Sequence, residues 1–527
     1  MSKKNVYIGP AWTYANNYLH IGHLCSYLSG DVLARFHRKQ GDNVILGSGS
    51  DCHGTPITNK ARDENKSPRE VAEFFHQSFI KSFKDIDYSF DLYTKTMADY
   101  HIKEVQQVLI TMHKNGYIYE RTKPQAFCEK CDKFINDREV VLTCPKCARK
   151  SKGDSCDCGY VPTNQDLIGG TCQKCGSSAV SRDNTNLVLA SSKMIKELES
   201  FLKKQSPNWR PNAVGESYKY LDYLKQEKAN ADKEITRDID WGVPLPDYFK
   251  GYENKRVYVW IEAVLGYYTV CKQYCEQSGQ DINHYFNNPK SLTYYCHGKD
   301  NVPFHTIWWP SILIGMGRSS LPSHIVSVEY MNIADQKISK SVGNLITVDD
   351  AIKQYGSDSV RYFFIARGPE RKDSNFSNDE MVAVHNGEIV NKIGNFINRT
   401  LKFKAITKTP IGKMDATVKA EIEKTYKETA TLIEKCEFKA ALKCILDLVE
   451  FANKYYEEKA PWKLENYDDV IYTCCNLCLN IANLIEPFMP KAAAKIQEYL
   501  CKAEGWKYNQ IKNQIDIKNI EPLFTRL

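Results

Sequence analysis

The first fifty-odd residues alternate between apolar runs of strand length and one segment of helical period. NVYIGPAW has the character of a strand, IGHLCSYLSGDVLARFHRKQ places apolar residues at helical spacing, and NVILGSG is a second strand that ends in SDCHGTP. Two strands joined by a crossover helix pair in parallel, whereas antiparallel neighbours need only a short turn. The sequence therefore predicts an α/β fold built on a parallel sheet.

The rest of the chain divides by pattern. Helical period returns in SPREVAEFFHQSFIKSF and in ADYHIKEVQQVLITMHKNG, where Gly116 is a natural helix end. RVYVWIEAVLGYY (256–268) and LTYYCHGKDNVPFH (292–305) have the character of strands, and long amphipathic segments predict an α-helical bundle towards the end of the chain. We expect three or four structural units in 527 residues.

Composition excludes several classes of protein. Hydrophobic residues make up 42% and charged residues 26% of the chain, as in ordinary soluble domains. The segment MSKKNVYIGPAW has no signal-peptide core, and no run approaches the length of a membrane span. We therefore expect a cytoplasmic protein without a membrane anchor. Its net charge of +7 permits an anionic partner without requiring one.

Eight of the nineteen cysteines lie in pairs within one Gly- and Lys-rich segment. The pairs are Cys128 and Cys131, Cys144 and Cys147, Cys156 and Cys158, and Cys172 and Cys175. Two thiolates on a tight turn bind one side of a tetrahedral zinc, so four pairs suit two structural ions. We expect nested pairing, with the inner four cysteines on one zinc and the outer four on the other. Because the third pair is one residue short, the inner ion is the less secure, and one or two zinc ions remain open. Disulfides would need an oxidising compartment that nothing else in the sequence supports.

Two short motifs carry groups that suit phosphate chemistry. His20-Ile21-Gly22-His23 stands where a helix begins, and a helix N-terminus offers unpaired N–H groups to an anion. Lys337 and Lys340 belong to KISKS in a polar loop closed by Gly343. Taken alone, the first motif favours a helix cap and the second a solvated loop. Their positions at opposite ends of one sheet domain favour phosphate binding.

Together these motifs resemble the HIGH and KMSKS signatures of class I aminoacyl-tRNA synthetases. Further segments are similar to the methionyl-tRNA synthetase family and occur in family order along nearly the whole chain. They are TYANNYLHIGHL, SDCHGTPI, the cysteine insert, ITRDIDWGVPLP, YVWIEAVLGY, GKDNVPFH, NKIGNFINR and KAPW. The insert with four cysteine pairs resembles the archaeal and eukaryotic cytosolic branch. The resemblance implies a Rossmann-like catalytic domain with a zinc-knuckle connective insert and a C-terminal α-helical bundle.

The resemblance also implies a division of the chain and an activity. The catalytic domain would occupy 1–116 and 255–325, the connective insert 117–254, a KMSKS-loop and stem-contact region 326–382, and an anticodon-binding helical domain 383–527. The enzyme would activate methionine with ATP, accompanied by Mg, to methionyl-adenylate and pyrophosphate. It would then transfer methionine to the 3′ end of tRNA(Met).

Site residues follow from the matched motifs. His20, Gly22 and His23 would hold the ATP phosphates, Lys337 and Lys340 the departing pyrophosphate, Gly298 and Asp300 the nucleoside, and Arg237 the pyrophosphate or adenylate. Asp51 would pair with the amino group of methionine, whose side chain would lie among Ala11, Trp12, Tyr14, Trp260, Ala263, Tyr267, Phe304 and His305. Trp12-Thr13 stands where the family commonly has Leu-Pro, and Glu262-Ala263-Val264 where it has Asp-Ala-Pro, so the amino-acid pocket departs from the family's usual pattern.

At the helical end, Asn391, Asn395 and Arg399 recur every four residues and fall on one face of a helix. With Trp462 of KAPW, the resemblance implies that they read the anticodon by hydrogen bonding and stacking. We expect a monomer. Valyl, leucyl and isoleucyl enzymes share both signatures but need an editing insert for which little room remains. A silent RNA-binding paralogue and a nucleotidyltransferase that does not use tRNA are two further hypotheses.

Overall fold

The computed structural model describes residues 3–135, 139–153, 156, 158, 160, 162–333, 336–337, 345–517 and 520–527. The first part of the chain, up to Lys114, contains four strands and four helices. They are β1 (Asn5–Pro10), β2 (Thr13–Tyr14), α1 (Ile21–Gln40), β3 (Asn43–Asp51), α2 (Thr55–Asp63), α3 (Pro68–Asp85), β4 (Leu92–Lys95) and α4 (Asp99–Lys114). The βαβ opening predicted from the sequence is confirmed.

The middle of the chain is an insertion that extends from the sheet along two long antiparallel strands. Its strands and helices are β5 (Ile118–Cys128), β6 (Lys133–Phe134), β7 (Val140–Thr143), β8 (Lys150–Lys152), α5 (Asn164–Leu167), β9 (Thr171–Cys172), β10 (Val180–Leu189), α6 (Ile195–Gln205), α7 (Pro211–Glu227), β11 (Lys233–Glu234) and β12 (Thr236–Arg237). Strands β5 and β10 pair along ten residues. The cysteine pairs lie at the far end of these two strands, away from the sheet.

The chain then returns to the first sheet. The elements of this part are β13 (Arg256–Val257), α8 (Val259–Ser278), α9 (Asn283–Phe286), β14 (Leu292–Gly298), α10 (Trp309–Gly315) and β15 (His324–Val328). The complete sheet has the order β15-β14-β1-β3-β2, with β4 also on β3, and every pairing is parallel. All carboxyl ends therefore meet at one edge, beside the N-terminus of α1.

The strand predicted over 256–268 is wrong, because this stretch is mainly the helix α8. Only Arg256–Val257 forms a strand, and α8 begins at Val259 and runs for twenty residues. Most of the helix is buried between the sheet and α4, so its sequence is apolar on nearly every side. A short apolar run of this kind does not distinguish a buried strand from a buried helix. Residues 292–298 form the predicted strand, but the rest of that stretch turns into helix at Lys299.

The last part of the chain is helical, as predicted. A small sheet of β16 (Met331–Ile333), β17 (Gln336–Lys337) and β18 (Ser374–Phe376) precedes it, with α11 (Val348–Tyr355) and α12 (Ser357–Ala366). The bundle comprises α13 (Asn378–Val384), α14 (Asn395–Leu401), α15 (Ala416–Glu434), α16 (Phe438–Lys459), α17 (Asp468–Ile485) and α18 (Pro490–Tyr499). A π-helical stretch, His385–Gly394, joins α13 to α14.

A buried ion pair ties this helical part to the parallel sheet. Arg361 on α12 places Nη2 2.6 Å from Oδ2 of Asp31, in the middle of α1, and also donates to the carbonyls of Pro487 and Phe488. Both charged side chains are almost fully buried and richly hydrogen-bonded, which is the condition for a stable buried pair. Within the described residues, no helix is long and apolar enough to cross a membrane.

Candidate active site, metal centres and RNA-binding surface

A cavity of about 500 Å³ opens at the carboxyl edge of the parallel sheet. It lies beyond the ends of β1, β3 and β14, where open α/β sheets bind their ligands. Fourteen of the predicted site residues line it: Ala11, Trp12, Tyr14, His20, Gly22, His23, Asp51, Trp260, Ala263, Tyr267, Gly298, Asp300, Phe304 and His305. The fold thus brings the candidate methionine pocket and the first phosphate motif into one chamber.

His20 and His23 cap α1 by exchanging hydrogen bonds with its first turn. Nδ1 of His20 accepts from the backbone N–H of Gly22, and Nδ1 of His23 accepts from the N–H of His20, both at 3.2 Å. Burial lowers the pKa of His20 to about 4, and burial together with His20 holds the pKa of His23 well below its usual value. Each ring is neutral near pH 7, so its proton resides on Nε2. Capping and anion binding are therefore compatible, because Nε2–H is left to donate.

Asp51, the last residue of β3, is a buried carboxylate beside a second buried acid. It accepts a hydrogen bond from the backbone N–H of His53 at 3.3 Å, and only 4% of its surface is exposed. Glu262 on α8 contacts Nδ1 of His53 with both oxygens, at 3.0 and 3.1 Å. Burial, and then the charge of Glu262, raises the pKa of Asp51 well above its usual range. A cation at this point would favour the ionised carboxylate.

Aromatic rings form the apolar side of the cavity. Trp260 and Phe304 stack with centroids 4.4 Å apart, and Tyr14 meets Trp260 edge-on at 6.1 Å. The Tyr267 hydroxyl lies 2.8 Å from Nε2 of His305, whose Nδ1 lies 2.7 Å from the carbonyl of Asn301. Since a carbonyl can only accept, the proton of His305 is on Nδ1 and Nε2 accepts from Tyr267.

Asp300, two residues beyond the end of β14, is held by a residue that the sequence analysis missed. The hydroxyl of Tyr330 donates to Oδ1 of Asp300 at 2.5 Å, and the ammonium group of Lys299 lies 4.0 Å from the Tyr330 ring. Lys299 also pairs with Glu329 and Asp373. Tyr330 and His53 both follow closely on the carboxyl end of a parallel strand. That position was the available signal, because polar side chains there face the ligand edge.

Arg237 is a predicted site residue that does not line the cavity. Arg237 donates to the carbonyls of Glu234 and Thr236, and its guanidinium lies 4.4 Å from the ring of Tyr258. Lys337 ends β17, where its backbone pairs with β16. Lys340 lies outside the described residues.

The eight paired cysteines form two groups in the nested arrangement predicted from the sequence. One group is Cys128, Cys131, Cys172 and Cys175, and the other is Cys144, Cys147, Cys156 and Cys158. All four sulfurs of each group lie within 4.8 Å of one another. Sulfurs that face each other between the two turns of a group are 3.3 to 4.0 Å apart. Four sulfurs at about 2.3 Å from one zinc would stand about 3.8 Å apart, so both donor sets fit a tetrahedral ion.

The predicted anticodon residues face solvent beside the end of α16. Asn391 and Asn395 are exposed, whereas Ile393, Phe396 and Ile397 are buried, as the helical pattern predicts. The guanidinium of Arg399 lies 4.5 Å from the ring of Tyr456 and pairs with Glu457.

Trp462 completes this surface. Its ring centroid is 5.8 Å from that of Tyr456, and 43% of its surface is exposed. Arg399 and Trp462 both contact the ring of Tyr456, which is buried beneath them, and the three form a contiguous cation–aromatic patch. Asn391 accepts from Nη2 of Arg526, so the C-terminal residues border the same surface.

The fold and the site together define a class I aminoacyl-tRNA synthetase. The defining features are a doubly wound parallel sheet, paired histidines at its first βα turn, an acidic strand end and an appended helical bundle. Residues 6–401 match the family model described as tRNA synthetases class I (M), and residues 407–521 match the anticodon binding domain of methionyl tRNA ligase. The chain belongs to the methionyl-tRNA synthetase family.

Individual relatives agree along the whole length. The methionine–tRNA ligase of Bacillus mycoides (strain KBAB4) is 40% identical, over 99% of this chain and 97% of the relative. That of Bacillus cereus (strain G9842) is 39% identical over the same shares. The structure of Mycobacterium tuberculosis methionyl-tRNA synthetase in complex with methionyl-adenylate superposes with a TM-score of 0.80. That structure is 22% identical and covers 99% of this chain and 100% of its own, which shows the shared fold.

Proposed function

We propose that this chain is a methionine–tRNA ligase. It activates L-methionine with ATP to methionyl-adenylate and pyrophosphate, and then transfers methionine to the 3′ end of tRNA(Met). One observation carries the proposal: a single cavity combines the buried carboxylate of Asp51, an aromatic slot and the histidine-capped N-terminus of α1.

The amino acid is bound by charge at one end and by rings at the other. Its ammonium group pairs with Asp51, a buried carboxylate that accepts from a backbone N–H and borders the cavity. Its thioether lies against Trp260 and Phe304, because sulfur gains from contact with aromatic rings and the flexible chain adapts to an irregular slot. A pocket of this kind separates side chains that differ by one methylene only about 10–200-fold, so close analogues enter.

ATP lies across the N-terminus of α1. The Nε2–H groups of His20 and His23 donate to phosphate oxygens as the α-phosphorus becomes five-coordinate, and Gly22 leaves room for the close approach. Gly298 and Asp300 hold the nucleoside, with the carboxylate on the ribose hydroxyls.

The departing pyrophosphate would be met by a second set of groups. Lys337 and Lys340 hold it, and Mg accompanies the phosphates. Arg237 would have to leave the Tyr258 ring to reach the adenylate, so its role stays a prediction.

The two cysteine groups would each hold one structural zinc, supported by the sulfur geometry. A tetrathiolate zinc fixes the small strands β6–β9, which have only a small apolar core of their own. The inner pair Cys156 and Cys158 reaches the other two sulfurs despite its shortened spacing. We therefore favour two ions per chain over one.

The helical surface would read the anticodon. Asn391 and Asn395 offer amides to base edges, and Trp462 offers a ring for stacking. The catalytic parts 1–116 and 255–325, the insert 117–254, the region 326–382 and the anticodon domain 383–527 remain our proposed division. The cytoplasmic location, the monomeric state and the similarity to the archaeal and eukaryotic branch stay predictions from the sequence.

Amino-acid-dependent ATP–pyrophosphate exchange, run with each of the twenty amino acids, tests the proposal. We expect exchange with methionine at least about tenfold above any other amino acid. Exchange with a different amino acid would overturn the specificity, and none at all would favour a silent paralogue.

A further inference from the structure

We propose that Tyr18 and Phe74 form a stacking platform for the unpaired 3′-terminal nucleotides of tRNA. The inference rests on the proposed function, because transfer requires that a single-stranded 3′ end reach an adenylate inside the cavity. Tyr18 lines that cavity two residues before His20, and 44% of its surface is exposed. The platform is therefore continuous with the site where the nucleotide must react.

The ring of Tyr18 is held in place by its neighbours. Phe75, buried in α3, meets it edge-on with centroids 5.4 Å apart and planes at 81°. Phe74 meets it from outside at 6.2 Å and 74°. Both contacts use ring edges, as aromatic pairs prefer. A ring fixed in this way offers a stacking surface at little cost in side-chain entropy.

Phe74 is a large apolar side chain that is unusually exposed. At 54% it is the most exposed of the large hydrophobic side chains in the described part of the chain. It lies within α3 directly beside the buried Phe75, so packing of the helix fixes the backbone here. Phe74 contacts Tyr18, which lines the cavity, and exposed rings that adjoin a ligand cavity in this way mark an interaction site rather than a core position.

The chemistry of the patch suits a nucleic-acid strand. Bases stack on aromatic rings irrespective of their identity, so a platform of this kind accepts any unpaired nucleotide. The ammonium group of Lys66 lies 6.0 Å from the Phe74 ring, and 53% of the Lys66 side chain is exposed, within reach of a backbone phosphate. Lys66 pairs with Glu64 at the surface, and such pairs exchange readily for a phosphate.

The test compares Phe74→Ser with a matched variant, Ile80→Ser, another exposed apolar residue of α3. For Phe74→Ser we expect the KM for tRNA(Met) in aminoacylation to rise about tenfold, the value of one lost stacking contact. The KM values for methionine and ATP in pyrophosphate exchange should stay close to those of wild type. Phe74→Trp should restore the KM for tRNA, and Ile80→Ser should leave it unchanged.

Truncated tRNA locates the contact. Binding is measured with tRNA(Met) that carries its full 3′ end and with tRNA(Met) that lacks the unpaired 3′ nucleotides. Phe74→Ser should weaken binding of the intact tRNA and leave binding of the truncated tRNA at the wild-type value. An equal loss with both tRNAs, or no loss with either, would overturn the platform. A raised KM for ATP would also overturn it, by assigning the rings to adenine. Absence of methionine-dependent exchange in the wild-type protein would overturn the proposed function itself.

Discussion

The indole of Trp12 occupies the space that a side chain on Gly266 would fill. A β-carbon built on Gly266 would stand 2.5 Å from Cε2 of Trp12, and one on Gly49 would stand 2.4 Å from Cζ3. Helix α8 and strand β3 thus each contribute a glycine to one slot, and the indole is 9% exposed at the floor of the cavity. Trp12, at a position where the resemblance implies Leu, is accommodated by the absence of side chains at these two glycines.

Gly266→Ala should therefore be tolerated only when Trp12 is replaced by a smaller side chain. Alone, it forces the indole to shift and should cost about 1–3 kcal/mol of unfolding free energy, although Ala is the better helix former. The KM for methionine should rise with it. In the double variant Trp12→Leu/Gly266→Ala, the added methyl group no longer meets an indole and partly fills the space that Leu leaves, so its unfolding free energy should exceed that of Trp12→Leu alone. Urea denaturation measures the coupling free energy between the two substitutions, using the wild type, both single variants and the double variant. Strictly additive effects would show that the indole does not occupy the space beside Gly266 in the way described.

The two functions of His20 can be separated by substitution. Asn caps helices well but lacks a group at the position of Nε2, whereas Ala supplies neither. We expect His20→Asn to keep wild-type stability and to lower kcat in ATP–pyrophosphate exchange by about 10²–10³, the scale for losing one donor to developing charge. His20→Ala should lose a similar factor and about 1 kcal/mol of stability besides. Equal activity of His20→Asn and wild type would place His20 in the cap alone.

Buried histidines make the protein sensitive to acid. Burial is the main cause of lowered pKa values at His20, His23, His76, His101, His297, His305 and His324. The folded pKa of His324 is about 4, below its value of about 6.5 in the unfolded chain. Between these values the unfolded chain binds more protons, so this stability is complete above about pH 6.5 and is lost as the pH falls.

His324→Gln isolates this contribution. Buried acids such as Asp51 and Glu262 have raised pKa values and act in the opposite direction, so the pH dependence of the wild-type protein alone is ambiguous. The contribution of these acids cancels in the difference in unfolding free energy between His324→Gln and the wild type. We expect the stability of His324→Gln relative to wild type to improve steadily from about pH 6.5 to about pH 4.5 in urea unfolding. A constant difference across this range would mean that His324 titrates normally in the folded protein.

The sequence predicted the sheet edge and its polar residues better than the packing around them. His20 and Asp51 could be placed because a βαβ unit fixes where strand ends and helix starts meet. The helix over 259–278 was mistaken for a strand, because burial removed the periodic pattern that would identify it. The slot for Trp12 could not be predicted from the sequence, because Gly49 and Gly266 are distant in the chain and only tertiary packing brings both against one ring. Tyr330 is a different case, because its position just after the carboxyl end of β15 was a signal that the sequence analysis did not use.

Zinc content per chain decides between one ion and two. We expect two zinc ions per chain in the purified protein by metal analysis. Cys158→Ser should remove one ion and Cys175→Ser the other, because each zinc needs four thiolates from its own group. Neither variant should alter the KM for methionine in exchange, since both groups lie at the far end of β5 and β10. One zinc in wild type, unchanged in Cys158→Ser, would show that the inner group holds no metal.

Trp462 tests the RNA-binding surface at the other end of the molecule. Removing its exposed ring in Trp462→Ala takes away stacking worth about 1–3 kcal/mol, so the kcat/KM for charging tRNA(Met) should fall about 10–100-fold. Exchange of ATP and pyrophosphate with methionine should persist, because the ring is remote from the cavity. Tyr223→Ala is the matched control, a similarly exposed aromatic residue on α7 that should leave charging unchanged. If Trp462→Ala charges tRNA(Met) at the wild-type rate, the anticodon is not read at the patch of Arg399, Tyr456 and Trp462. If Trp462→Ala loses discrimination between tRNA(Met) and the same tRNA with an altered anticodon, the patch reads sequence as well as binding the loop.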